Sequence, residues 1–199
     1  MIDVANLDFD YPERPLLRKV NFSVNPGQLL HLRGANGTGK TTLLKLIAGL
    51  LQPSNGEVCY QSVSIVKDRA SFQRNLCYIG HKSGISQLLT VKENCELSLR
   101  KDHEVDLSSI LQKFSLADFA DVTCSSLSAG QRRRVGLLRL LFTEASLWLL
   151  DEPLNALDQE GIYALMHCIE EHLAQRGIVI LTSHQALTLP SNIYLEYNL

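Results

Sequence analysis

A glycine-rich segment between a strand-like and a helix-like apolar run carries the clearest chemistry of the sequence. Residues 34–41 read Gly-Ala-Asn-Gly-Thr-Gly-Lys-Thr and fit the phosphate-loop pattern G-x-x-x-x-G-K-[ST] at every fixed position. Glycines let backbone N–H groups point at an anion, and the following helix adds unpaired N–H groups and a positive dipole end. Lys40 would neutralise β- and γ-phosphates, and the Thr41 hydroxyl would ligate Mg²⁺. The segment predicts nucleotide binding, in a class that includes kinases, GTPases and motor ATPases.

Two carboxylates follow an apolar run at residues 147–150. A buried strand there would deliver Asp151 to a place beside the phosphate loop, where it can hold Mg²⁺ through water. Glu152 is then in reach of a water lined up on the γ-phosphate, as a general base or water positioner. Taken alone, the pair also fits a solvated strand end, but the phosphate loop in the same chain favours the catalytic interpretation.

The segment Leu127-Ser128-Ala129-Gly130-Gln131 narrows the class. With the loop and the carboxylate strand, it resembles the signature motif of ATP-binding cassette (ABC) ATPases, and the resemblance covers nearly the whole chain. It implies ATP and Mg²⁺ as ligands, and a signature Ser and Gly that grip the γ-phosphate of ATP held by another subunit. Ser128 is also placed to cap a helix predicted over residues 131–142.

Other positions match this family in register. Asn155-Ala156-Leu157-Asp158 is similar to the D-loop at the dimer interface, with Asn155 where Ser is usual. His184 is similar to the switch histidine that contacts the γ-phosphate, and Tyr11 lies where an aromatic residue stacks on adenine. The resemblance therefore implies Lys40, Glu152 and His184 as catalytic residues, Thr41 and Asp151 as Mg²⁺ ligands, and Asp158 as the D-loop residue. It implies a signature that acts in trans, formed by Leu127, Ser128, Ala129, Gly130 and Gln131. The ATP-binding residues that it implies are Tyr11, Gly34, Ala35, Asn36, Gly37, Thr38, Gly39, Lys40, Thr41 and Thr42.

Residue 81 departs from the family pattern. Most ABC ATPases place a Gln nine residues before the Thr of a Thr-Val-x-Glu-Asn segment, which is residues 90–94 here, and the residue at the Gln position is His81. An imidazole can also donate or accept there, but its behaviour becomes pH-sensitive near neutrality. The remaining histidines, His31, His103, His167 and His172, match no motif and are interpreted as structural.

A narrower resemblance follows from this histidine, from residues 177–185 and from the short sequence after them. The chain is similar to the ATP-binding subunits of bacterial haem exporters, which act in cytochrome c maturation. This implies as partners the integral-membrane transporter subunits of that system, together with a second cassette that is either an identical copy or a different chain. It also implies a peripheral location on the cytoplasmic face of the inner membrane.

The elements that position these residues are predicted from hydrophobic periodicity. Strands alternating with helices indicate an α/β fold with a largely parallel sheet and an N-terminal antiparallel flap, which agrees with a P-loop NTPase core of the ABC type. We divide this single domain, residues 1–199, into an ATP-binding core (1–82 and 126–199) and an inserted helical subdomain (about 83–125). The predicted elements are strands at 20–25, 28–33, 57–60 and 177–181, and helices at 41–51 and 158–175, the latter ended by Gly177.

Composition excludes several other classes. The chain has 199 residues, 45% of them hydrophobic, which suffices for a core without disulfides or metals. A net charge of −2 argues against a nucleic-acid partner, so Arg132-Arg133-Arg134 is interpreted as a charged first turn of a partly exposed helix. No stretch is apolar enough to span a bilayer, and five scattered cysteines indicate reduced thiols in the cytosol.

Four functions remain open, and an energy-coupling ATPase of the haem exporter is the leading one. The ATPase subunit of another small ABC exporter is the nearest alternative. A soluble ABC protein of translation or DNA repair usually carries two cassettes or a long coiled-coil insertion, and this sequence shows neither. A small-molecule kinase has no use for residues 127–131.

Overall fold

The computed structural model describes residues 1–12, 14–98, 106–187 and 189–199. These residues form two compact units. The first contains residues 1–78, 145–152 and 172–199, and the second contains residues 79–144 and 153–171. Our division into a core and a helical subdomain stays a prediction. Residues 99–105 of the predicted subdomain, His103 among them, lie outside the described part.

Nine strands are present in the described residues, and they form two sheets. An antiparallel sheet has the order β2-β1-β4-β5, and a five-stranded sheet has the order β6-β7-β8-β3-β9, in which β3 pairs in parallel with β8 and β9, and β7 with β8. The strands are β1 (Ile2–Tyr11), β2 (Arg14–Val24), β3 (Leu29–Arg33), β4 (Asn55–Tyr60), β5 (Val63–Ser64), β6 (Leu76–Ile79), β7 (Leu147–Leu150), β8 (Ile178–Thr182) and β9 (Tyr194–Asn198).

The two kinds of sheet differ in burial, as their sequences predict. Val20 and Val24 of β2 are buried while Asn21 and Ser23 between them are exposed, the pattern of a half-buried strand. Every residue of β7 and β8 is buried, as in a parallel sheet covered on both faces. The predicted α/β class, with a parallel sheet and an antiparallel N-terminal flap, is confirmed.

Seven α-helices lie in the described part of the chain, and two of the predicted ones differ in extent. Helix α1 ends at Ile47, four residues before the predicted end, because Gly49 takes a left-handed conformation with φ of 69°. The helix predicted over residues 131–142 is two helices, with the Leu138 N–H shared between carbonyls three and four residues back. The helices are α1 (Lys40–Ile47), α2 (Arg69–Arg74), α3 (Val91–Ser98), α4 (Leu107–Lys113), α5 (Ala129–Leu137), α6 (Arg139–Phe142) and α7 (Gln159–Ala174).

The end of α7 corrects the role predicted for Gly177. The left-handed residue is Arg176, with φ of 65°, and its N–H donates to the Leu173 carbonyl at 2.9 Å. Gly177 follows it and donates to the His172 carbonyl at 2.9 Å, so it occupies the second position of the capping motif. A side chain at Gly177 would collide with the imidazole of His172, which stacks on Trp148 at 3.8 Å. Glycine is needed there for space.

Two further findings bear on the sequence-based predictions. None of the described helices is both long enough and apolar enough to cross a membrane. None of the five cysteines, Cys59, Cys77, Cys95, Cys124 and Cys168, forms a disulfide in the described part of the chain.

Candidate active site

The phosphate-loop sequence forms the connection between β3 and α1 in the first unit. Gly39 is the N-cap of α1 with φ of 105°, a conformation that L side chains rarely adopt. A Cβ at Gly39 would also lie 2.9 Å from a methyl group of Leu17. The first N–H groups of α1 have no partner within the helix, so they form an electropositive end at the loop.

Lys40 lies inside this loop with its side chain buried. Its Nζ donates to the carbonyl oxygens of Gly34 and Ala35, at 2.7 and 3.1 Å. The Thr38 hydroxyl donates to the Ala35 carbonyl at 3.0 Å and tightens the same turn. The loop thus holds an ammonium group against neutral carbonyl oxygens, and a phosphate oxygen would be a stronger acceptor for it.

Asp151 lies directly after β7 and beside the loop, as predicted. The Thr41 hydroxyl donates to its two carboxylate oxygens at 3.0 and 2.9 Å. The Thr182 hydroxyl, at the end of β8, donates to Oδ1 at 3.0 Å. A buried carboxylate and a hydroxyl that converge in this way are oxygen ligands of the kind that Mg²⁺ takes, so the donor set fits this ion. Sequence reasoning missed Thr182, for which the only signal is a hydroxyl ending an apolar strand.

Glu152 and His184 meet at the same edge of the parallel sheet. Nε2 of His184 lies 3.4 Å from Oε1 of Glu152. The backbone of Glu152 is left-handed, with φ of 49°, and its N–H donates to the Thr182 hydroxyl at 2.8 Å. Left-handed residues other than glycine are uncommon and concentrate at functional sites. The Asp151–Glu152 turn therefore has the local strain expected where a side chain must be aimed.

Tyr11 ends β1 near the first turn of α1. Its hydroxyl lies 3.4 Å from the Thr42 hydroxyl, and its ring packs edge-on against Phe9 at 5.1 Å. The side chain is 47% exposed, so an aromatic surface stays open to solvent. The stacking role of Tyr11 stays a prediction. The first unit thus brings together the predicted residues Tyr11, Gly34, Ala35, Asn36, Gly37, Thr38, Gly39, Lys40, Thr41, Thr42, Asp151, Glu152 and His184.

The second unit carries the predicted signature segment at the start of α5. The Gln131 N–H donates to Oγ of Ser128 at 3.1 Å, and the Ser128 N–H donates to Oε1 of Gln131 at 2.8 Å. This reciprocal capping box confirms that Ser128 caps the helix. Leu127 is buried, whereas Ser128 and Ala129 are exposed. The segment therefore presents a helix N-terminus and a hydroxyl at the surface of this unit.

The arginine run was predicted as a charged first turn of a partly exposed helix, and Arg132 is half-buried in the first turn of α5, but the next two arginines are buried. Arg133 and Arg134 are 5% and 7% exposed. Arg133 donates to the Gly80 carbonyl at 2.9 Å, and Arg134 donates to the Phe114 carbonyl at 3.1 Å. A guanidinium has five N–H donors, so it can satisfy several loop carbonyls that would otherwise be buried unpaired. These arginines bind their own chain.

Asp158 and His81 complete the predicted residues of the second unit. Asp158 accepts the Gly161 N–H at 2.9 Å and pairs with Arg134, and these two contacts hold the pKa of its carboxyl below the usual range. Both are contacts within the unit, which the D-loop resemblance did not anticipate. The side chain of His81 is exposed. Its role in place of Gln stays a prediction.

Comparisons with known proteins identify the family of this chain. A family model described as ABC transporter matches residues 17–155. The cytochrome c biogenesis ATP-binding export protein CcmA of Legionella pneumophila strain Lens is 49% identical over 200 residues, which cover 100% of both chains. The protein of the same name from Escherichia coli O157:H7 is 42% identical and covers 95% of this chain and 91% of its own.

The fold of the chain also matches a solved structure. A putative ABC transporter ATP-binding protein from Pyrococcus furiosus matches with a TM-score of 0.82 and 26% identity, covering 99% of this chain and 96% of its own. The resemblance to ABC ATPases and the narrower one to the cytochrome c subfamily are both confirmed. The chain is a nucleotide-binding ATPase subunit of the ABC transporter family, and within that family it belongs with the cytochrome c biogenesis ATP-binding export proteins.

Proposed function

We propose that this subunit hydrolyses Mg-ATP to drive an export complex of cytochrome c biogenesis, with haem as the exported species. The observation that carries the hydrolytic part is the convergence of Lys40, the Thr41–Asp151 pair and the Glu152–His184 pair in one unit. The names of the relatives support the export role, and the narrower sequence resemblance supports haem.

ATP binding is assigned to the loop, α1 and Tyr11. The phosphates take the place of the loop carbonyls as partners of Lys40, and backbone N–H groups of the loop and of α1 donate to them. The exposed ring of Tyr11 stacks on adenine, which contributes about 0.5–1.5 kcal/mol for an aromatic pair. An aromatic side chain can stack on any base, because every base has a π-face. The phosphate contacts therefore set the position of the nucleotide.

Thr41 and Asp151 are the residues that would hold Mg²⁺. When bound, the ion neutralises charge on the phosphate oxygens. Thr182 donates to Asp151 and fixes the orientation of its carboxylate. The same hydroxyl accepts the Glu152 N–H, so it also sets the backbone of the neighbouring carboxylate.

Glu152 is assigned the role of general base for the attacking water. It accepts a hydrogen bond from this water and draws off its proton as the oxygen attacks the γ-phosphorus, and the bond to the β-phosphate oxygen breaks to give ADP and phosphate. His184 stays within reach of Glu152 and donates to the γ-phosphate. Two side chains of different chemistry thus act on the nucleophile and on the group transferred.

A second cassette completes the site in this proposal. Ser128 is exposed, and its Oγ accepts the Gln131 N–H, which leaves its hydroxyl hydrogen available for a phosphate oxygen. The signature residues Leu127 to Gln131 then act on ATP held by the other cassette, in a head-to-tail pair. Asp158 lies at the predicted interface. The pair is formed by two copies of this chain or by this chain and a different cassette.

The remaining partners are integral-membrane transporter subunits of the cytochrome c maturation system. The chain is then peripheral at the cytoplasmic face of the bacterial inner membrane, and opening and closing of the cassette pair moves those subunits. The word export in the relatives' names favours this role over one in translation or DNA repair. A nucleic-acid partner is not part of the proposal.

Two experiments test the proposal. In cells that lack the gene, the wild-type chain and Lys45→Ala should restore c-type cytochromes, whereas Lys40→Ala should not. Lys45 lies on the same helix and serves as the matched control. With the purified chain, ATPase activity per molecule should fall on dilution as the pair dissociates. A rate that dilution leaves unchanged would remove the two-cassette site, and complementation by Lys40→Ala would remove the role of ATP in the pathway.

A further inference from the structure

His31 is a buried polar side chain on β3, an inner strand of the five-stranded sheet. It lies on β3 between β8 and β9, with Leu181 and Glu196 as its register partners. Its side chain is 0% exposed. A buried imidazole requires hydrogen-bond partners, and a leucine at this position would need none. The position therefore calls for a reason beyond packing.

Both ring nitrogens of His31 have partners. Nε2 lies 2.9 Å from the Ser183 carbonyl, and Nδ1 lies 2.8 Å from the Tyr194 hydroxyl. A carbonyl oxygen only accepts, so Nε2 carries the hydrogen and donates to Ser183. Burial lowers the pKa of His31 from its ordinary value. The Tyr194 hydroxyl also lies 2.6 Å from Glu196, which pairs with Arg33 at 3.1 Å.

The bond to Ser183 acts on the peptide group that Ser183 shares with His184. The carbonyl of residue 183 and the N–H and Cα of residue 184 lie in one plane, so a donor fixed on that oxygen restricts the start of His184. His184 is the residue whose Nε2 lies 3.4 Å from Glu152. A buried ring on an inner strand of the sheet thus holds the backbone from which an exposed side chain reaches the candidate active site.

We propose that His31 is a positioning residue for ATP hydrolysis: through the Ser183 carbonyl it holds His184 against Glu152. The inference rests on the proposed role of His184. Tyr194 supports His31 in turn by holding its Nδ1 side, so the anchor extends from β9 through β3 to the loop after β8. Displacement of a reacting group by about 1 Å can cost about 100-fold in rate, so such an anchor affects turnover more than nucleotide affinity.

The test uses the purified full-length chain and measures kcat and KM for ATP. His31→Leu should lower kcat about 10-fold and change KM less than about 2-fold, because the anchor acts on geometry and not on the phosphate loop. His31→Gln should restore kcat to within about 3-fold of wild type, since its amide N–H can donate to the Ser183 carbonyl. In the His184→Ala background, His31→Leu should lower the residual rate less than about 2-fold, because its effect passes through His184.

Comparing His31→Leu in the wild-type and His184→Ala backgrounds distinguishes a positioning role of His31 from a general packing role. An equal fold-loss with and without His184 would overturn the inference and leave the proposed function intact, as would a wild-type kcat in His31→Leu. A wild-type rate in His184→Ala itself would remove both the proposed role of His184 and the inference. If His31→Leu does not fold, Tyr194→Phe carries the same comparison: the inference expects a loss of about 3-fold only where His184 is present, and an equal loss in both backgrounds overturns it.

Discussion

Nε2 of His184 lies 3.4 Å from Oε1 of Glu152, and the two side chains differ sharply in exposure, at 52% and 12%. The histidine can therefore meet a phosphate that arrives from solvent while the carboxylate stays shielded beside it. The Thr182 hydroxyl accepts a hydrogen bond from the Glu152 N–H and so fixes the backbone position of the shielded carboxylate residue. A buried hydroxyl thus positions the shielded member of the Glu152–His184 pair.

Glu152→Gln should uncouple ATP binding from hydrolysis. The amide keeps the size of the side chain but cannot take a proton, so hydrolysis should slow at least about 100-fold while ATP affinity stays within about 2-fold. The chain should then accumulate as an ATP-bound pair in size-exclusion chromatography. Glu170→Gln, an exposed change on α7, serves as control. Near-normal turnover by Glu152→Gln would remove Glu152 from its assigned role.

Ser128 should show two separable effects. Ser128→Arg should leave ATP binding by the isolated chain intact and abolish turnover, because the long charged side chain blocks the second cassette. Equilibrium binding at low protein concentration and steady-state ATPase assays measure the two quantities. Loss of binding by the isolated chain would contradict a site shared between cassettes.

The local role of the same serine is tested by a smaller change. Ser128→Ala removes the N-cap oxygen of α5 and should lower the free energy of unfolding by about 1 kcal/mol. Ser126→Ala, in the preceding turn, should change it by less than about 0.5 kcal/mol. Denaturant titration of both variants gives the comparison, and equal values for the two would argue against the capping box.

Arg134→Met should destabilise the protein because it removes a buried guanidinium with several partners. Arg134 is buried, pairs with Asp158 and donates to the Phe114 carbonyl, so its removal leaves that carbonyl unpaired. We expect a loss of about 2–3 kcal/mol in the free energy of unfolding. Arg74→Met at the exposed end of α2 is the control and should stay within about 0.5 kcal/mol. A neutral Arg134→Met would show that the buried contacts contribute little.

Stability should fall with acidity through His172. Burial lowers the pKa of this histidine to about 4, whereas the unfolded chain has the ordinary value of 6.5. The unfolded state therefore binds the proton first, so the stability is present above pH 6.5 and is lost progressively as the pH falls toward 4. His172→Phe keeps a ring against Trp148 and should flatten the pH dependence of unfolding in this window. An unchanged pH dependence in His172→Phe would contradict this prediction.

The parts of the site that were predictable are those that short segments encode. Gly39 must be glycine because its own φ is positive and its place beside Leu17 admits no side chain, and the loop pattern contains this requirement. The three-residue spacing of Ser128 and Gln131 likewise specifies the capping box. The apolar run before Asp151 specifies a buried strand that ends in a carboxylate. In each case the information lies within a few residues.

The parts that were not predictable depend on distant residues. Arg133 and Arg134 look solvated in sequence, but they are buried against partners distant in the chain, among them the carbonyls of Gly80 and Phe114, which lie 53 and 20 residues away. The same holds for His31, whose partners are more than 150 residues further along the chain. A polar residue in an apolar strand signals that partners exist, but the fold must identify them.

Gly130 illustrates how a single position can satisfy two demands. A Cβ at Gly130 would lie 2.7 Å from the carbonyl oxygen of Ala156, whose own backbone is left-handed with φ of 64°. If a saturation library shows that no other residue is accepted at position 130, the steric clash with Ala156 in the same chain would already explain that result. Such a result would therefore not by itself demonstrate a contact with the second cassette. Compensating changes that widen the turn around residue 156 would be the place to look for suppressors, and their recovery would separate the steric demand from the chemical one.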